Sequence, residues 1–143
     1  MLERWALLIN PARIISLHRE GTDRYGGDST QRAEDLDCVD GRLGAAANAA
    51  AYCTEGDEDW GLILGAYLLF YLAKDSCFVD GNKRVAWLAC MEVLKNLQFS
   101  VSATTDEAYD FVIDIVNGVI EVAEVATWLA ERLEDVQGDE QTN

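Results

Sequence analysis

The sequence predicts an all-α protein, a compact bundle of about six helices. Apolar residues recur at helical spacing along most of its 143 residues. The segment from Trp60 to Lys74 is apolar nearly all round, which is typical of a central helix buried on several sides. The sequence does not alternate predicted strands with helices, as a Rossmann or P-loop domain would. We expect one domain over residues 1–136 and a disordered tail over residues 137–143.

The first helix is predicted by Asn10, a favoured N-cap residue that is followed by a proline at the first helical position. The residues on its inner face are Ile14, Leu17, His18, Gly21 and Tyr25. The pair Gly26-Gly27 favours the end of this helix. The acidic stretch from Asp28 to Asp40 has no sustained period and predicts a loop, after which an alanine-rich helix is expected around Leu43 to Tyr52.

The second half of the sequence predicts three further helices after the central one. A loop over Asp75 to Gly81 precedes a helix with an apolar face on Trp87, Cys90 or Met91, Leu94 and Leu97. Phe99 to Ala103 is expected to be a short extended link, and Thr104 with Glu107 forms a capping-box pattern that begins the next helix. The last helix is predicted from Val122, Val125, Leu129 and Leu133.

The charge and hydropathy of the chain exclude several classes of function. A formal charge of -15 and a pI near 4.2 disfavour a protein that coats nucleic acid, unless a local basic patch overrides the net charge. The longest apolar run, Trp60 to Ala73, is shorter than the roughly 20 residues that a membrane span needs. We therefore expect a cytoplasmic protein that binds neither nucleic acid directly nor a membrane.

The cysteines and the single histidine argue against a zinc site. The four cysteines are Cys38, Cys53, Cys77 and Cys90, and none forms a Cys-x-x-Cys pair. We expect reduced thiols, with Cys77 a packed side chain and not a nucleophile. His18 lies on the inner face of the first helix, where a lone histidine is expected to be a hydrogen-bonded core or rim residue.

The segment from Ser76 to Arg84 concentrates charge and glycine where a helix begins. A helix N-terminus offers unpaired backbone N–H groups, and Gly81 allows an anion to approach them closely. Lys83 and Arg84 add positive charge in the first turn, and Asp80 is a suitable ligand for magnesium. These are the parts of a phosphoryl- or nucleotidyl-transfer site. The same residues also fit an ordinary turn and helix cap with both cations in solvent, and the residue types alone favour that interpretation.

The segment resembles the active-site motif of the Fic/Doc family, which in its Doc form is His-x-Phe-x-Asp-Gly-Asn-Lys-Arg. The matching positions are Phe78, Asp80, Gly81, Asn82, Lys83 and Arg84. The Leu-His-Arg run of the first helix, its glycine pair and the buried helix before the motif also resemble Doc-like chains. Fic proteins usually carry glycine at the position of Lys83 and a second arginine at the position of Trp87, so the resemblance is to Doc, the death-on-curing toxin.

The resemblance implies a toxin of a toxin-antitoxin pair that uses ATP and Mg²⁺ to phosphorylate a translation elongation factor, with transfer of AMP as the other possible chemistry. Its partner would be a small Phd-like antitoxin. Carried over by position, Asp80 would bind the metal, Gly81 and Asn82 would hold phosphate, Lys83 and Arg84 would neutralise phosphate charge, and Phe78 would anchor the loop.

The pattern departs from the family at Ser76, which occupies the position of the catalytic histidine. A serine hydroxyl is a poor base near neutral pH, and loss of a general base costs about 10²- to 10⁴-fold in rate. Three explanations stay open: an introduced substitution, a natural pseudoenzyme that binds nucleotide or antitoxin without catalysis, or a neighbouring base such as Asp75.

Overall fold

A computed structural model describes residues 8–53 and 59–136 of the chain. Within them are six helices and two short strands: α1 (Pro11–Tyr25), α2 (Ala33–Cys53), α3 (Trp60–Lys74), α4 (Asn82–Asn96), β1 (Phe99–Val101), α5 (Thr105–Val116), α6 (Val122–Ala130) and β2 (Leu133–Asp135). The predicted all-α class is confirmed. The predicted disordered tail, residues 137–143, lies outside the described residues.

Helix α3 lies at the centre of the fold and has the bounds that the sequence predicts. It packs against α2, α4, α5 and α6. Its fully buried leucines are Leu64, Leu68, Leu69 and Leu72. Burial of each leucine side chain stabilises the fold by about 1.5–3 kcal/mol, which explains why a segment without a polar face forms the core.

Helix α2 begins at Ala33, so the predicted loop over Asp28 to Asp40 is wrong beyond Arg32. The acidic first turn suits the positive end of the helix dipole. The backbone N–H and the guanidinium of Arg32 both donate to the carboxylate of Asp35, at 2.9 Å each. In this acidic first half of α2 one position per turn is buried, at Asp35, Val39 and Leu43, which is enough to attach it to the core.

The predicted extended link after α4 is confirmed as β1, but its partner was not expected. β1 pairs antiparallel with β2, with Phe99 opposite Asp135 and Val101 opposite Leu133. The last helix therefore ends at Ala130, and its predicted extension to Leu133 is wrong because pairing with β1 satisfies the backbone of that segment instead.

The start of α5 agrees with the sequence. The Thr104 side chain accepts from the Glu107 N–H, and the Glu107 carboxylate accepts from the Thr104 N–H, which confirms the predicted capping box. Helix α1 begins with the predicted N-cap, because the side chain of Asn10 accepts from the N–H of Arg13 at 2.9 Å. α1 packs against α2 and α4, which brings it beside the loop that precedes α4. None of the helices described is long and apolar enough to cross a membrane.

Candidate functional site

The loop between α3 and α4 enters the core and returns to the surface within a few residues. Cys77 and Phe78 are buried, whereas Ser76, Val79 and Asp80 are exposed. The buried pair fixes the middle of the loop and leaves polar groups on both sides of it in contact with solvent.

Phe78 is held by both its ring and its backbone. Its ring stacks on the imidazole of His18, with centroids 3.9 Å apart and planes 8° from parallel. Its N–H donates to Oδ1 of Asn82 at 2.8 Å, and its carbonyl accepts from Nδ2 of Asn82 at 2.9 Å. Both Oδ1 and Nδ2 of Asn82 are therefore engaged by the backbone of Phe78, which closes the loop on the first turn of α4.

His18 is 1% exposed and lies beneath the loop. Its Nε2 is 2.7 Å from the carbonyl oxygen of Asp80, and because a carbonyl only accepts, Nε2 is the donor. Its Nδ1 then faces the amide of Gln31 at 3.4 Å. The prediction of a hydrogen-bonded core histidine is confirmed, but the sequence did not indicate that it supports the motif.

The carboxylate of Asp80 joins the loop to the segment after α1. Oδ2 accepts from the N–H of Asp28 at 3.0 Å, and Oδ1 accepts from the N–H of Gly81 at 2.8 Å. These two backbone hydrogen bonds lower the pKa of Asp80, so it is ionised at neutral pH. Gly27 has a φ of +117°, and a Cβ there would lie 2.9 Å from Oδ2 of Asp80, so this approach requires glycine.

Helix α4 begins directly after Gly81, which has a left-handed φ of 78°. No side chain of the described residues caps this helix start. A Cβ on Gly81 would meet Thr22 at 3.4 Å and the imidazole of His18 at 3.5 Å, so the turn lies close against α1. The first N–H groups of α4 are therefore free to bind an anion.

The two cations of the motif lie in different surroundings. Lys83 is exposed, whereas Arg84 is partly buried. The guanidinium of Arg84 donates to the carbonyl oxygens of Gly21 and Gly26 at 3.2 Å each, and lies 5.0 Å from the ring centroid of Tyr25. Arg84 thus ties the end of α1 to the start of α4, and its predicted contact with phosphate stays a prediction.

A cleft of about 300 Å³ opens between the start of α4 and α5. Its lining residues are Asp80, Gly81, Asn82, Lys83, Arg84, Trp87, Thr105, Ala108, Tyr109 and Val112. The motif forms one wall, and an apolar surface with the 61% exposed ring of Tyr109 forms the other. An anion at the helix start would therefore have an apolar, partly aromatic surface beside it.

The exposed Ser76 lies beside an ion pair at the beginning of the loop. Nη1 of Arg42 donates to Oδ2 of Asp75 at 2.8 Å. One carboxylate oxygen of Asp75 is thus bound by Arg42 of α2. The suggested role of Asp75 as a replacement base stays untested.

The expectation of reduced thiols is wrong for Cys38 of α2 and for Cys77, which form a disulfide with each other. The two Cα atoms are 5.6 Å apart although the residues are separated by 39 positions. The absence of a Cys-x-x-Cys pair argued only against a metal site, and the early start of α2 is what brings Cys38 beside the loop. Nη2 of Arg32, directly before α2, donates to the carbonyl of Cys77 at 3.0 Å and is a second link between the start of α2 and the loop.

Cys90 is a free thiol in α4, and complete burial raises its pKa to about 12. It is therefore protonated and unreactive at neutral pH. Within residues 8–53 and 59–136 no group of three His, Cys, Asp or Glu side chains is arranged to hold a metal ion.

A model of the Fic/DOC family matches residues 8–94, which is more than half of the chain. The match includes α1, α2, α3, the motif loop and most of α4. A comparison with curated proteins gives no match. Helix α5, which carries the apolar wall of the cleft, lies outside the matched span.

Proposed function

The chain belongs to the Fic/DOC family, and on that premise we propose that it is a Doc-like toxin scaffold that transfers phosphate, or AMP, from ATP to a protein hydroxyl. The observation that carries this proposal is the uncapped start of α4, where the turn of Gly81 opens onto the cleft next to Lys83 and Asp80. Backbone N–H groups at a helix start are suited to phosphate, and catalysis of phosphoryl transfer is mainly positioning and charge stabilisation.

Asp80 fits the role of magnesium ligand. Its carboxylate is exposed and ionised, and each oxygen accepts one backbone N–H, which leaves lone pairs for a cation. Mg²⁺ is commonly held by one or two carboxylates together with phosphate oxygens and water. When bound, the ion would neutralise phosphate charge beside the α4 start, and the protein would keep the carboxylate oriented through Gly81 and the N–H of Asp28.

His18 acts in this proposal as a positioning residue. Its bond to the Asp80 carbonyl and its stacking on Phe78 fix the loop from beneath, so that Asp80 and the N–H groups of α4 keep one geometry. A site that is fixed before the substrate binds does not have to pay for reorganisation during the reaction.

The Doc subtype is supported by Lys83 and Trp87. The exposed Lys83 ammonium lines the cleft, where it is suited to neutralise phosphate charge. Trp87 also lines the cleft and packs edge-on against Trp128 of α6, with ring centroids 6.2 Å apart. In this subtype the acceptor would be a translation elongation factor, the result would be growth arrest, and a Phd-like antitoxin would be the partner.

Ser76 favours a second candidate function, a pseudoenzyme that binds nucleotide or antitoxin without transferring a group. The motif residues proposed to bind phosphate are all present in this chain, but the position of the general base holds a hydroxyl. The chain with Ser76 is therefore expected to be inactive or strongly attenuated, by about 10²- to 10⁴-fold.

The test is transfer of label from ATP to proteins of a cell lysate, with the label on the γ- or the α-phosphate. The chain is compared with its Ser76→His form and with a Ser76→His, Asp80→Asn form as the matched control. Label from the Ser76→His form alone would support the toxin scaffold, and the labelled phosphate would identify the group transferred. If ATP binds but none of the three forms transfers label to a protein, the pseudoenzyme is the function that remains.

A further inference from the structure

We propose that the Cys38–Cys77 disulfide is a reversible redox control of the motif loop, which sets the position of residue 76 and leaves the phosphate-binding turn unchanged. The control of the loop follows from the contacts described above. Its effect on group transfer rests on the proposed function.

The disulfide acts on one end of the loop. Cys77 directly follows Ser76, and Cys38 lies on α2, a different element from those that hold the rest of the motif. Reduction would leave three polar links at this end: the N–H of Asp75 to the carbonyl of Tyr71 in α3, the guanidinium of Arg32 to the carbonyl of Cys77, and the ion pair of Arg42 with Asp75. The side chains of Arg32, Arg42 and Asp75 are 43%, 40% and 47% exposed. Hydrogen bonds and ion pairs of this kind constrain a chain far less than a covalent bond does.

The other end of the loop is held independently of the disulfide. Phe78 is fixed by stacking on His18 and by two hydrogen bonds between its backbone and the side-chain amide of Asn82. Asp80 is fixed by His18 and by the N–H of Asp28. Reduction is therefore expected to loosen residues 75–77 while residues 78–82 keep their geometry.

The chemistry needs a dithiol reductant, whether a small molecule or a protein. A thiolate of the dithiol attacks Sγ of Cys38, since this side chain is partly exposed while Cys77 is 3% exposed. The S–S bond breaks, Cys77 leaves as a thiolate and takes up a proton, and a mixed disulfide forms on Cys38. The second thiol of the dithiol then attacks the mixed disulfide and releases Cys38 as a thiol. The protein gains two electrons, and the dithiol is oxidised to its own disulfide.

Reduction of the disulfide is expected to affect turnover and not ATP binding. A base at residue 76 has to lie within hydrogen-bond reach of the acceptor hydroxyl, whereas phosphates contact the α4 start. Displacement of a reacting group by about 1 Å can cost on the order of 10²-fold in rate. In the Ser76→His form, reduction is therefore expected to lower kcat by about tenfold to 10²-fold with KM for ATP within about twofold.

The first measurement uses the chain as it is, oxidised and then reduced with dithiothreitol. Alkylation of the denatured, unreduced chain should leave Cys38 and Cys77 unlabelled; labelling of both would overturn the proposal. Amide hydrogen exchange should become faster by about tenfold or more at residues 75–77 after reduction, and stay the same at residues 78–82. Equal exchange of residues 75–77 in both states would overturn it.

Two variants make the comparison specific. Cys38→Ser should show the exchange of the reduced chain in either condition, while Cys90→Ala, which removes a buried free thiol, should respond like the parent chain. The Ser76→His form is then assayed oxidised and reduced, and an unchanged kcat would overturn the regulatory proposal. If this form transfers no label in either state, the proposed function fails, while hydrogen exchange still decides whether the disulfide controls the loop.

Discussion

The two walls of the cleft are built in opposite ways. On the α1 side, the motif is attached by specific polar bonds: the imidazole of His18 to the Asp80 carbonyl, the N–H of Asp28 to the Asp80 carboxylate, and Arg84 to the end of α1. On the α5 side, the cleft is lined by apolar groups and the exposed ring of Tyr109. The difference indicates that the α1 side, the fixed wall, holds the motif in one geometry, and that the α5 side, the open wall, is available to a ligand.

The largest effect is expected for Asn82→Ala on the fixed wall. The substitution leaves the N–H and the carbonyl of Phe78 without their partners, which costs about 2–4 kcal/mol in the free energy of unfolding. Denaturant unfolding gives this value directly. Asn96→Ala is the matched control, since Asn96 lies on the last turn of the same helix and makes one exposed bond to the carbonyl of Leu8. Similar losses for the two variants would contradict a special role for the motif asparagine.

A second substitution separates the two contacts of His18. His18→Phe keeps an aromatic ring that can stack on Phe78 but removes the donor to the Asp80 carbonyl. The expected loss is about 1–3 kcal/mol in the free energy of unfolding, with weaker ATP binding, because the turn before α4 loses its support.

His18→Gln supplies an N–H donor without the ring and serves as the comparison. ATP affinity measured by calorimetry should be higher in His18→Gln than in His18→Phe at matched stability. The reverse order would show that stacking, and not the hydrogen bond, orients the turn.

The open wall is tested with Tyr109→Ser. Since this ring is largely exposed, we expect little change in the melting temperature but weaker ATP binding, by on the order of tenfold, because a nucleobase would lose an aromatic contact worth about 1–3 kcal/mol. Tyr52→Ser is the control, as Tyr52 is 92% exposed near the end of α2. Equal ATP affinity in both variants would show that the nucleobase of ATP does not contact Tyr109.

The smallest effect is the acid sensitivity of the fixed wall. The folded pKa of Asp80 lies below its unfolded value, because the N–H groups of Asp28 and Gly81 stabilise the carboxylate. Its contribution to stability is therefore present above the ordinary aspartate range, near 4, and is lost as the pH falls through the lower folded pKa. Unfolding of the parent chain and of Asp80→Asn between pH 7 and pH 2 should give a difference that shrinks on acidification.

Glu107→Gln provides a matched comparison on α5. The pKa of Glu107 is also lowered, mainly by the N–H of Thr104, so the sign of its pH dependence is the same. It lies in the capping box and not among the residues that line the cleft. We expect Asp80→Asn to weaken binding of ATP with Mg²⁺ and Glu107→Gln to leave it unchanged. An equal effect on binding would argue against Asp80 as the metal ligand.

Local patterns were sufficient for several elements. The all-round apolar segment gave the bounds of α3, and the capping box gave the start of α5, because both signals lie within a few neighbouring residues. Helix α2 was partly missed, since a helix that buries few side chains in an acidic stretch has almost the composition of a loop. The end of α6 was missed because β2 exists only through its pairing with β1.

The sequence by itself determined the helical class, the central buried helix and the motif residues for which we propose phosphate chemistry. Only the tertiary structure decided that His18 bonds to Asp80, that Asn82 closes the loop on Phe78, and that Cys38 is joined to Cys77. His18 and Asp80 are 62 positions apart, and the two cysteines 39. The physical reason is that helical periodicity and capping act between near neighbours, whereas contacts over such separations depend on how whole helices pack.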